Sequence, residues 1–115
     1  MRHLNLQFQP EKAPELDPAA VRAAVEALSK DHSLVAGFET SQGEDEGPYL
    51  NFTFLAKDLP KLWLKLKSDV LGNPEIGAGL ARSSIVVCEG SEGWDDYLLL
   101  HHFDPKLELD DPEER

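Results

Sequence analysis

The residues able to do chemistry fall into a few short groups, each to be weighed against the element that would hold it. His101-His102, with Glu89, Asp95 and Asp96 nearby in the chain, has the composition of a metal site. Adjacent strand residues point to opposite faces, so the two imidazoles cannot chelate one ion there. No Cys-x-x-Cys or His-x-x-x-His spacing completes a ligand set, and neither a metal nor another cofactor is expected. Cys88, the single cysteine, would need an activating histidine to serve as a nucleophile. A turn centred near Ser91 and Glu92 sets Cys88 opposite Asp95 or Asp96 and moves His101 down the ladder toward Arg82, out of hydrogen-bond reach. A neighbouring carboxylate raises a thiol pKa, so Cys88 is expected to be a buried structural residue.

Asp95-Asp96, between Trp94 and Tyr97, resembles the paired carboxylates of an acid/base centre. As strand neighbours they diverge too, and they read as a charged hairpin shoulder that discourages edge pairing. Glu44-Asp45-Glu46 lacks the spaced oxygen ligands of a calcium loop. Gly77-Ala78-Gly79-Leu80-Ala81-Arg82 offers backbone N–H groups and a guanidinium to a phosphate, but it follows no strand directly and has no P-loop lysine. No catalytic constellation survives these geometric tests, which argues against an enzyme.

The elements that would position these groups are legible from periodicity. Leu4, Leu6 and Phe8 alternate with His3, Asn5 and Gln7, the period of a strand with one buried face. Asp17 and Pro18 open a helix whose Val21, Ala24, Val25 and Leu28 form one apolar stripe. A second strand is predicted over 33–40, with Leu34, Ala36 and Phe38 on one face. A long acidic turn over 41–48 follows, then a third strand in which Leu50, Phe52 and Phe54 alternate with Tyr49, Asn51 and Thr53. Asp58 and Pro60 start a second helix carrying Leu59, Leu62, Trp63, Leu66 and Val70, and Gly72-Asn73-Pro74 stops it. Residues 75–82 read as a loop, with room for one helical turn. A short β-branched strand over 85–88, a turn at 90–93 and a last strand over 94–103 form a second hairpin.

The order strand, helix, strand, strand, helix, strand, strand predicts an α+β domain of the ferredoxin-like split βαβ kind. It is a βαββαβ sandwich plus an extra C-terminal strand, its antiparallel sheet carrying two helices on one face. Residues 1–103 form that single domain. The tail 104–115, with six acids, two bases and two prolines, is expected to be solvated and mobile.

Length and charge narrow the function. The 115 residues suit one domain, and 41% hydrophobic residues suffice for a core. Eleven bases against 22 acids give a net charge of −11, a field that repels phosphate backbones and anionic lipids, so neither nucleic acid nor a membrane is an expected partner. One cysteine and no apolar leader favour a cytoplasmic location. Two surfaces remain as binding candidates. If the leucines and phenylalanines of the first and third strands face the helices, then His3, Asn5, Gln7, Tyr49, Asn51 and Thr53 share the open face, an adaptable hydrogen-bonding surface. Lys57, Lys61, Lys65 and Lys67 concentrate positive charge around the second helix, a docking patch for an acidic partner. The expectation is a non-catalytic protein-binding or regulatory module, an adaptor or an immunity-type protein, that engages a protein partner or a second protomer. The alternative is a dimeric ferredoxin-like enzyme enclosing a small substrate against the open face.

Overall fold

Alternation and hydrogen-bonded pairing build one five-stranded antiparallel sheet in the computed structural model, which describes residues 1–112. The strands are β1 (Arg2–Phe8), β2 (Val35–Glu44), β3 (Pro48–Ala56), β4 (Ser84–Gly90) and β5 (Gly93–His102), in the spatial order β2-β3-β1-β4-β5. Helix α1 (Pro18–Ser29) joins β1 to β2. Helix α2 (Leu59–Leu66), a π-helical turn (Lys67–Leu71) and the short helix α3 (Gly77–Ala81) join β3 to β4. Each helical connection therefore skips one strand, β3 in the first case and β1 in the second. This α+β arrangement is compatible with a ferredoxin-like sandwich, and β5 adds an edge beyond β4.

Both long helices start where the sequence says they should. The Asp17 carboxylate accepts the Ala19 N–H at 2.9 Å and the Asp58 carboxylate accepts the Lys61 N–H at 3.2 Å, with a proline in each first turn. Their buried residues, Val21, Val25 and Leu28 from α1 and Leu59, Leu62, Trp63 and Leu66 from α2, join Leu4, Leu6, Phe8, Phe52, Phe54, Val86 and Cys88 of the sheet in one cluster. Register explains the match: Leu4 faces Phe54 and Leu6 faces Phe52 across β1 and β3, so both rows fall on the same side.

Several boundaries differ from the expectation. β2 extends to Glu44, since Ser41, Gln42, Gly43 and Glu44 pair with Asn51, Leu50, Tyr49 and Pro48, and the acidic turn shrinks to residues 45–47. An irregularity between Val35 and Gly37 changes the strand's facing: Val35 is buried and Ala36 exposed, with Phe38 partly buried against the core. Within residues 75–82 the one helical turn that the loop reading allowed is the short α3, whose Gly77 and Gly79 are buried. A side chain on Gly79 would collide with Leu16, so this glycine serves close packing rather than phosphate binding.

The largest correction lies in the second hairpin. The turn at Ser91 and Glu92 pairs Gly90 with Gly93 as expected, but the next pair is Cys88 with Leu98, so Cys88 does not face Asp95 or Asp96. Trp94, Asp95, Asp96 and Tyr97 thus bow out opposite Glu89 alone. Gly90 permits it, because a Cβ there would strike the Asp96 carbonyl oxygen, and Gly93, at φ +74°, turns the chain into the bow. A second slip between Val86 and Val87 inserts Leu100 and leaves His101 across from Val86. Cys88 itself is buried, and burial first of all pushes its thiol up to about 11.

Beyond β5 the chain is exposed from 105 to 109, then returns to the sheet edge. The Asp110 N–H donates to the Leu99 carbonyl at 2.7 Å, the Asp110 carboxylate accepts the Leu99 N–H at 2.8 Å, and Arg2 donates to the Pro112 carbonyl at 3.3 Å. The last three residues of the expected tail, 113–115, lie outside the described residues.

Candidate functional site

The site is built on the sheet face that looks away from the buried cluster. β1 contributes His3, Asn5 and Gln7, and the register sets Leu55, Thr53 and Asn51 of β3 opposite them. Glu39 of β2 continues the Thr53 row on one side and Val87 of β4 continues the Asn5 row on the other. Thr53 donates its hydroxyl to the Asn5 carbonyl oxygen at 2.8 Å, and Asn5 donates from its amide to the Asn51 carbonyl oxygen at 3.2 Å. Three of the six face residues named from sequence are therefore joined into one hydrogen-bonded chain. Gln7 instead accepts from Gln9 at 2.9 Å, and Tyr49 lies against Gly43, toward the far end of the hairpin.

His3 is fixed by a residue that sequence reasoning did not place on this face. Its ring Nδ1 and its backbone N–H both meet Oε1 of Glu89, at 2.5 Å and 2.6 Å. Burial pushes the Glu89 carboxyl up, but these two donors outweigh it, and the group is held below its ordinary range. An ionised Glu89 requires the imidazole proton on Nδ1, which leaves Nε2 as the free ring position. The bowed segment then lays Trp94 beside the imidazole, with centroids 6.4 Å apart and planes 24° from parallel. His3, Trp94 and Val87 at one end and Glu39, Thr53 and Asn51 at the other bound an open trough of about 470 Å³, with Asn5 between them.

The face is not uniformly polar. Ile85, Val87, Leu55 and Leu99 are half-buried on it, and Trp94 keeps 44% of its surface exposed. Alternation outward from buried Cys88 puts Val87 and Glu89 on the face and could have found them in the sequence. Trp94 had no such signal, because its aim depends on the bow.

The four lysines make separate contacts. Lys57 donates to the His32 carbonyl at 2.6 Å, and Lys65 pairs with Asp31 at 2.6 Å, holding that carboxyl down at about 2 while its own pKa rises. Lys61 stands 3.9 Å from Asp58. Lys67 sits over the Trp63 ring at 5.3 Å, on the rim of a groove of about 430 Å³ between α2 and residues 109–112. His101 and His102 are engaged separately, the first with the Ala81 carbonyl at 2.9 Å and the second accepting the Asp104 N–H at 2.9 Å. Among the described residues no three His, Cys, Asp or Glu side chains gather as a metal-binding group, and no helix is long and apolar enough to cross a membrane.

No protein-family model matches the chain, and neither a curated protein nor a solved structure is similar enough to count as a match.

Proposed function

We propose that the chain is a small acidic protein-binding module of the cytoplasm, a ferredoxin-like sandwich with both helices on one face of the sheet and its partner on the other. Its role is that of an adaptor or an immunity-type regulator, without catalysis of its own. The observation that supports this most is the mixed character of the open face. Half-buried Ile85, Val87 and Leu55 surround a pre-ordered Thr53–Asn5–Asn51 chain, beside an exposed tryptophan. A face meant only for water has no use for that apolar area, whereas protein interfaces combine aliphatic surface, oriented polar groups and aromatic anchors. A net charge of −11 favours a basic partner through long-range steering.

Replacing Asn5, Tyr49 and Asn51 together with Ala tests the proposal. Capture of host proteins and sedimentation are compared with the unaltered chain after melting has shown that the variant folds. Association is expected to weaken by about 2 kcal/mol or more. Unchanged capture together with an unchanged sedimentation profile would discard the face and turn attention to Lys57, Lys61, Lys65 and Lys67.

One observation favours the enzyme alternative: a carboxylate holding Nδ1 leaves Nε2 of His3 beside the trough, the orientation of a general base. That reading needs a second protomer to close the trough over a substrate. A monomeric mass at working concentration removes it.

A further inference from the structure

The trough has a chemistry more specific than a general docking face. Glu89 is already engaged by His3, whereas Glu39 is exposed at the other end and has no ion-pair partner among the described residues. Between them, the carbonyl oxygens of Asn5 and Asn51 each accept one side-chain bond and keep a second lone pair. The wall opposite Glu39 is the exposed indole of Trp94, and Val87 lines the trough as well. An unpaired carboxylate, spare acceptors and a flat aromatic wall together call for a ligand whose head group only donates hydrogen bonds and carries positive charge, on an apolar stem that packs against a ring.

We infer that the trough seats an arginine side chain of a basic protein partner, its guanidinium at Glu39 and its methylene stem along Val87 and Trp94. The inference rests on the open-face reading above and names what that face recognises. Lysine fits less well. Its ammonium is a compact, strongly hydrated point charge, whereas the planar guanidinium can bond to the Glu39 carboxylate through two N–H groups and keep others for an amide oxygen. The acidic field brings the basic partner in, and the trough decides which of its residues docks.

The test uses the full chain and three peptides of equal length, otherwise glycine and serine, with arginine, lysine or citrulline at the centre. Citrulline keeps the shape of arginine and removes its charge. NMR shifts of the Asn5 and Thr53 amides and of the Trp94 indole N–H report occupancy. The arginine peptide is expected to bind about fivefold tighter than the citrulline peptide, the size of one exposed charge pair, with lysine between them. Glu39→Gln should abolish the preference, while Asp95→Asn, which removes the same charge from the exposed bow, should leave it intact. Equal effects of the two substitutions would show the general field at work and overturn the arginine seat. Saturable shifts on the face with no arginine preference overturn the seat and leave the face as a docking surface. Shifts confined to other surfaces overturn both, and an absence of shifts overturns the seat.

Discussion

The β2–β3 hairpin keeps one register from Gly37 to Glu44, whereas the β4–β5 hairpin slips twice within its length. Both flank the central strand and have a face in the same core, so burial alone does not separate them. In the regular hairpin each side chain goes where alternation sends it, and the face residues it supplies, Glu39, Asn51 and Thr53, sit in rows set by β1. In the bowed hairpin four residues share the space opposite one, and the surplus chain carries Trp94 over to His3. Regular pairing supplies polar groups at fixed spacing, and the bow supplies the aromatic wall that makes a trough of them.

The largest effect is expected in the core beneath the regular hairpin. Phe52→Ala, at a fully buried site opposite Leu6, is expected to cost about 3–5 kcal/mol in denaturant unfolding. A midpoint unchanged within error would mean that the two faces of β3 are reversed.

A matched pair of glycine substitutions probes the hairpins themselves. Gly90→Ala drives a methyl group into the backbone carbonyl of Asp96, so the bow must move; a loss of about 1–3 kcal/mol is expected, together with a shift in Trp94 emission. Gly43→Ala meets only the end of the Tyr49 side chain, which can swing away, and should cost under about 1 kcal/mol. If Gly43→Ala proved the more damaging, the second hairpin would not depend on its bow in the way described.

The smallest effect is expected where the chain enters the regular hairpin. Lys65 holds the Asp31 carboxyl at about 2, below the ordinary 3.8, so the pair favours the folded state above that ordinary value. The contribution fades as pH falls from about 4 toward 2. Asp31→Asn should therefore lower the melting temperature slightly at neutral pH, and the difference should close on acidification. A difference that persisted at low pH would assign the stabilisation to packing instead of charge.

Features that depend on local periodicity and capping are legible in the sequence alone. Asp17-Pro18 and Asp58 with Pro60 start the two long helices because a carboxylate there meets unpaired N–H groups. Alternation in β1 and β3 brought His3, Asn5, Gln7, Asn51 and Thr53 to one face, since a strand has a period of two. Alternation holds only while pairing stays in step. The irregularity at Ala36, the slip that inserts Leu100 and the bow at 94–97 are settled by which partner strand lies alongside and how closely the backbones approach, as at Gly90 and Asp96. So the sequence identified the amides of the candidate site. Only the tertiary structure set Glu89 on His3 and Trp94 over the trough, because those contacts join residues 86 and 91 positions apart in the chain through a register that no local pattern encodes.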